Sequence, residues 1–333
     1  MKETVETFMT RALYDAEAGY YTRHIRTVGR HGDFATAATL SETLGRALGR
    51  WVVDRRKRHE VAAVIEVGGG TGSLALAVLR GIAFWRRWNL NYHMVEISPP
   101  LRRQQEKNLR GHRVCWHETM ESALAACAGQ AVIFSNELVD AFPCRQLEWR
   151  GGDWKEVAWD PRTSAESGAN GPREILQDLP ASFDRNAHAW LQEGHGWREG
   201  QRVEIHPRYR QWLRSWMPHW ARGTMLTIDY GAPAHPRPRF PLTGTLRGYF
   251  QQHRIEGEEL YRRVGRQDLT ADVCFTDLKA WGEDAGLLTR HLSTQAAWLA
   301  EWGPGILDRQ SADHDAGGAF WVLEQERSGA PHQ

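Results

Sequence analysis

Val64–Ala75 reads VIEVGGGTGSLA: an apolar run, an acid, glycines at 68, 69, 70 and 72, then an apolar helical pattern. The run from Val61 to Val67 has the length and β-branched content of a buried strand, and the residues after Gly72 repeat at helical spacing. Gly68, Gly70 and Gly72 therefore sit at the carboxyl end of a strand, where an open α/β sheet binds its ligand. Glycine tolerates positive φ and lets backbone approach a ligand closely. The helix that follows points free N–H groups at the same space.

The ligand class follows from what the loop lacks. Its spacing is G-x-G-x-G, not the G-x-G-x-x-G of a dinucleotide site, and no G-x-x-x-x-G-K-[ST] is present to grip phosphate. Glu66, two residues before the first glycine, is awkward for a pyrophosphate and suits a cation. S-adenosylmethionine (AdoMet) carries an ammonium and a sulfonium and no phosphate. Glu96 ends the next apolar strand, YHMVEI, 24 residues after Gly72. An acid there accepts from ribose hydroxyls in related sheets.

Outward from this unit the pattern alternates strand and helix: YHMVEI, a helix after Ser98, HRVCWH, MESALAAC and AVIFS. That rhythm predicts a parallel, doubly wound sheet. HRVCWH (His112, Cys115, His117) alternates like a short strand, and no metal site is expected. Before the sheet, Val5, Phe8, Met9 and Leu13 share a helical face, and a second helix is expected with Ser41 as its N-cap. After Pro143 the rhythm changes to a hairpin around Gly151-Gly152 and a polar loop. An α/β pattern returns with the strand TMLTIDYG, which ends near Asp229. The expected division is a helical cap over 1–60, a first core segment over 61–143, an inserted hairpin and loop subdomain over 144–200, and the rest of the core over 201–333.

Composition narrows the function. The 333 residues carry a formal net charge of +1, which gives the whole chain no pull toward nucleic acid or anionic membrane. No stretch is long and apolar enough for a bilayer span. The four cysteines form no paired or zinc-type spacing. The N-terminal stretch has Glu3, Glu6 and Asp15 beside Lys2, unlike a secretory or transit signal. A cytoplasmic protein is therefore expected. The 16 tryptophans are scattered without a period, as core and contact residues would be.

The ordered motifs resemble the MidA-type AdoMet-dependent methyltransferases, relatives of the mitochondrial arginine methyltransferase that assists assembly of respiratory complex I. The similarity runs from FMTRALYDAEAGYYTRHIRTVGRHGDFAT through IEVGGGTGSLA, VEISPPLRRQQ and SNELVDAFPCRQL to LTIDYG, GTLRGYF and QDLTADVCF. The resemblance implies a Rossmann-like class I methyltransferase sheet with an N-terminal helical cap and an inserted α+β subdomain. It implies AdoMet as cofactor and a protein substrate, arginine first among acceptors. Gly32, Asp33 and Phe34 would then fold the cap over the cofactor.

Two blocks depart from the family. Thr36 to Ser41 replaces Thr-Ser-Pro-Glu-Ile-Ser, and Asp272 and Cys274 stand where His and Asp are favoured. Methyl transfer needs nucleophile, methyl and sulfur in line. Asn136, Glu137 and Asp140, just past the fourth strand, are the candidates. A carboxylate pairs with a planar guanidinium, which puts Glu137 first and Asp140 second. Asp229 is a further acid at a strand end, with Arg247 as its expected partner. The competing readings are a nicotinamide-dependent oxidoreductase, a non-enzymatic assembly factor on a methyltransferase fold, and a small-molecule methyltransferase.

Overall fold

The computed structural model describes residues 2–25, 38–83, 88–161, 173–192, 196–234, 241–251, 253–303 and 319–327. The central sheet is built from β2 (Ala63–Val67), β3 (Asn91–Val95), β4 (Val114–His117), β5 (Ala131–Asn136), β10 (Gly223–Ala232), β15 (Leu288–Thr294) and β16 (Phe320–Arg327). Its order is β15-β16-β10-β5-β2-β3-β4, with β14 (Val273–Cys274) pairing beside β10. β4, β3, β2, β5 and β10 are mutually parallel, and β16 is antiparallel to β10 and β15. The chain starts in the middle at β2 and moves out one way through β3 and β4, then returns to the other side at β5. The strand order thus reverses beside β2, which places the glycine loop at the switch point.

The strands are apolar on both faces because helices cover both. Along β2 and β5, Val64, Val132 and Phe134 enter one core with the residues of α2 (Ala38–His59) and α3 (Ser73–Gly81). Ala63, Ile65, Val67 and Ile133 alternate into the opposite core. That core contains α5 (Met120–Ala126), α6 (Pro207–Trp216) and α7 (Phe275–Asp284). Trp51, Trp216, Trp220 and Trp298 are fully buried, so much of the tryptophan content is core packing.

Local signals set several boundaries. α4 (Pro99–Asn108) starts where Ser98 Oγ accepts from the Leu101 N–H, with proline in the first turn. Thr119 caps α5 in the same way. α2 begins at Ala38, so Ser41 lies inside the helix and is not its N-cap. The hairpin is present as β6 (Arg145–Arg150) and β7 (Asp153–Asp160), joined by Gly151 and Gly152 at φ 61° and 83°. Two consecutive left-handed residues make the turn that matches strand twist.

The hairpin grows into a second sheet with β8 (Arg173–Asp178) and β9 (Arg202–Ile205). This sheet therefore continues past residue 200 to Ile205. It also takes in the N-terminus: β1 (Glu3–Thr4) pairs with β7, and α1 (Val5–Tyr14) follows directly. Val5, Phe8, Met9 and Leu13 are buried against this sheet's neighbours. A small third sheet of β11 (Arg247–Phe250), β12 (His253–Ile255) and β13 (Asp268–Thr270) packs nearby. α8 (Gln295–Trp302) leads toward β16.

Contact between α2 and α3 is close enough to require glycine. A Cβ at Gly45 would lie 2.3 Å from Ala77 Cβ. Gly45→Leu is expected to force the helices apart, costing about 1–3 kcal/mol. Thermal melting should show a midpoint several degrees below the parent. An unchanged midpoint would mean that the helices do not pack this closely.

Candidate functional site

β2 ends at Val67, and the chain must turn at once into α3. Gly68, Gly70 and Gly72 take φ of 67°, 52° and 81°, a region that L side chains rarely adopt. The Gly68 N–H donates to Val95 O at 3.0 Å, and the Gly72 N–H donates to Gly69 O at 2.8 Å. A Cβ at Gly68 would lie 2.8 Å from Leu138 Cδ1, and one at Gly69 only 2.3 Å from Met94 Cε. Among the described residues, a Cβ at Gly70 would meet no atom within 4 Å beyond its own chain neighbours.

Two acids flank this loop. Glu66 is 2% exposed, and the Tyr92 hydroxyl donates to its Oε2 at 2.5 Å. Burial pushes its pKa up to about 7, opposed by the tyrosine hydrogen bond. Glu96 follows β3. Its Oε1 accepts from the Ser98 N–H, and its Oε2 accepts from Gln105 Nε2, both at 2.8 Å. Burial raises its pKa to about 7 as well, against the pull of these donors.

The third component is the turn after β5. The Asn136 side-chain amide donates to Glu137 Oε1 at 3.0 Å, while Asn136 Oδ1 is buried and finds no partner among the described residues. Glu137 has φ 52°, an uncommon conformation for a non-glycine residue. Burial, then the Asp140 charge, raises its carboxyl pKa to about 7. Asp140 is buried and accepts from Thr270 Oγ1 at 2.7 Å.

Asp229 holds the turn in place. Its Oδ2 accepts from the backbone N–H groups of Leu138, Val139 and Asp140 at 3.1, 2.7 and 3.4 Å, and its Oδ1 accepts from the Tyr230 N–H. The expected pairing of Asp229 with Arg247 does not occur. Arg247 instead donates to Asp272 Oδ1 at 2.6 Å and to Thr245 O at 3.0 Å. Asp229 has its acceptor capacity taken by four backbone donors. Asp272, one of the departures from the family pattern, is the partner within reach of Arg247. Cys274, the other departure, is buried against the second sheet's core.

Glu66, Gly68, Gly70, Glu96, Asn136, Glu137 and Asp140 line one cavity of about 900 Å³. Gly72 is not among the lining residues; it packs against Gln105, whose Cα would lie 3.3 Å from a Gly72 Cβ. Gly32, Asp33 and Phe34 lie outside the described residues. The cavity is also closed by groups that the local motif reading missed. Tyr14 donates from its hydroxyl to Ala141 O at 2.9 Å, and Tyr21 donates to Asp268 Oδ1 at 2.8 Å. Their rings stack with centroids 5.5 Å apart. Seven acidic side chains line the cavity against one basic side chain among the described residues, Arg208, which is itself paired with Glu6. In a cleft of low dielectric this arrangement favours cationic occupants.

A switch-point glycine loop between two strand-end acids, opening on an acidic cleft, is the arrangement with which open α/β sheets hold a nucleoside cofactor. The family model described as "Putative S-adenosyl-L-methionine-dependent methyltransferase" matches residues 47–293, and the chain belongs to that family. It is an AdoMet-dependent methyltransferase. A protein from Burkholderia thailandensis described as a "likely methyl transferase", solved bound to S-adenosyl-homocysteine, superposes with a TM-score of 0.78 at 26% identity, covering 99% of this chain and 89% of that one.

Among curated relatives, the mitochondrial protein arginine methyltransferase NDUFAF7 of Xenopus tropicalis is 27% identical, covering 86% of this chain and 70% of the relative. Its Xenopus laevis counterpart is 25% identical, covering 87% and 69%. The resemblance to the MidA-type family holds, and the oxidoreductase reading falls. The cytoplasmic expectation is overturned, because these relatives are named as mitochondrial proteins. That expectation rested on acids near the N-terminus, which describe a segment's charge and do not fix a compartment.

Asp229→Asn replaces one acceptor oxygen by a donor facing backbone N–H groups. The expected loss is about 1–3 kcal/mol of stability, read by urea unfolding. Parent stability would show that the turn is held by other contacts.

Proposed function

We propose that this enzyme methylates the guanidinium of an arginine on a partner protein. The cofactor is held by the Gly68–Gly72 loop with the Glu66 and Glu96 carboxylates, and the acceptor is held at Glu137, supported by Asp140 and Asn136. The observation that carries this reading is the contact of the two parts. The Glu137 turn leans on the glycine loop through Leu138, so that an acceptor at the turn lies beside the cofactor's cradle.

The residues present fit AdoMet. Gly70 leaves its side open, the flanking acids suit a cation and ribose hydroxyls, and the cavity is within the ~300–1,000 Å³ usual for small-molecule sites. When bound, the cofactor supplies an electrophilic methyl group on a sulfonium.

The chain's own groups do the rest. Glu137 is raised toward neutrality while alone, and an incoming guanidinium restores its charge. As a carboxylate it orients the planar group through charge-assisted hydrogen bonds. It is then placed to take the proton that the guanidinium nitrogen loses. Asn136 Oδ1, without a partner, offers a second acceptor for a guanidinium N–H. The stacked Tyr14 and Tyr21 keep water from this wall. The names of the Xenopus relatives support arginine as acceptor.

Gly70→Val puts a branched side chain at the one loop glycine whose Cβ position is open. The protein should stay folded and lose at least tenfold in AdoMet affinity by calorimetry. Full affinity in a folded variant would remove the loop from the site.

The acceptor is tested with methyl-labelled AdoMet, pure protein and extract from cells lacking it. Label should enter protein, and its hydrolysate should contain methylarginine; label confined to small molecules would overturn the reading. With that acceptor, Glu137→Gln should slow single-turnover transfer on the order of a hundredfold. In the parent, kcat/KM should rise with pH through about 7, because the ionised carboxylate is the working form and burial has raised its pKa. The limb in kcat should lie lower, since the bound cation favours ionisation. A parent-like rate in Glu137→Gln would move the acceptor site elsewhere.

A further inference from the structure

VEISPPLRRQQ is only partly explained by Glu96 and the Ser98 cap. Gln105, further along the same helix, is a fully buried polar side chain. Its side-chain amide uses both hydrogens. Nε2 donates to Glu96 Oε2 at 2.8 Å and to Gly70 O at 2.8 Å. Its Oε1 accepts from the Trp116 indole N–H at 3.1 Å. An indole N–H only donates, so Trp116 fixes which end of the amide is oxygen and turns both hydrogens toward the cavity wall. One turn later Asn108 donates to Thr71 O at 2.9 Å. α4 thus grips two successive carbonyls of the glycine loop.

We propose that Gln105, oriented by Trp116, is a positioning residue that locks the glycine loop and the Glu96 carboxylate into one cradle for the cofactor. The proposal rests on the reading of Glu96 as a cofactor ligand. Without the amide, Glu96 loses a donor that stabilises its charged form. Gly70, the loop residue with an open side, loses the bond that fixes its carbonyl. Gln105 acts through these two groups and does not touch the acceptor. Its loss should therefore appear in cofactor binding and leave acceptor binding alone.

Gln105→Glu tests this with almost no change of shape. Ionised, it donates to neither group and repels Glu96; protonated, it regains one donation. By calorimetry, AdoMet affinity relative to the parent at the same pH should fall at least tenfold at pH 8 and recover most of the loss at pH 5.5. In turnover, KM for AdoMet should rise, with KM for the acceptor and kcat at saturation nearly unchanged. Trp116→Phe, which removes only the indole N–H donor, should give a smaller loss of the same kind. Gln105→Leu combined with Glu96→Gln should lose less than the sum of the two single losses, because they share the Glu96 contact, yet more than Glu96→Gln alone, because the Gly70 carbonyl also loses its donor.

If Glu96→Gln weakens AdoMet binding while Gln105→Glu binds like the parent at pH 8, the proposal is overturned and the Glu96 reading stands. If Glu96→Gln itself binds like the parent, the Glu96 reading fails and takes the proposal with it. A loss in Gln105→Glu that is equal at both pH values and accompanied by a lower kcat would mark a general structural role, and would also overturn it.

Discussion

The site depends on a single steric constraint: backbone must pass from β2 into α3 while pressed from three sides. Leu138 closes on Gly68, Met94 on Gly69 and Gln105 on Gly72, each near enough that a Cβ would collide or force its neighbour to move. These glycines serve the protein's own packing. Gly70 is the exception, with open space among the described residues where a side chain would stand. The loop is rigid because its neighbours leave no alternative, and its exposed edge is therefore fixed in place before any ligand arrives. Leu138 belongs to the acceptor turn and Gln105 to the helix that steadies Glu96, so the same crowding registers three separate segments against one another.

Much of this was legible in the sequence wherever the cause was local. The glycine pattern, the helix after Ser98 and the Gly151-Gly152 turn each need only a few adjacent residues, and each appears as read. The strand–helix alternation fixed the parallel sheet because connections in such folds have few permitted forms. What escaped involves groups brought together by the finished fold. Tyr21 meets Asp268 across 247 residues of chain, and Tyr14 meets Ala141 across 127. Neither pair has a local signal.

The Asp229–Arg247 expectation fails for an instructive reason. Opposite charges in neighbouring blocks suggested a pair, but a strand-end carboxylate beside a turn is claimed first by backbone N–H groups, which cannot be left unsatisfied when buried. Arg247 then took the carboxylate left over, Asp272, at the position where the family pattern departs. Asp272 thus supplies the guanidinium with its counter-charge. The short pairing of Glu3–Thr4 with β7 was equally invisible, yet it anchors α1 and with it the tyrosine wall of the cavity.

The net charge of +1 conceals a sharply uneven distribution, with acids gathered in the cleft and basic residues paired elsewhere. That unevenness gives turnover a direction. A sulfonium donor brings a positive charge into the cleft, and its demethylated product no longer carries it. One attraction of the acidic cleft for the donor is therefore absent for the spent molecule, and inside a cleft salt screens that attraction weakly. The charge for which the cleft is built is one that the reaction itself erases.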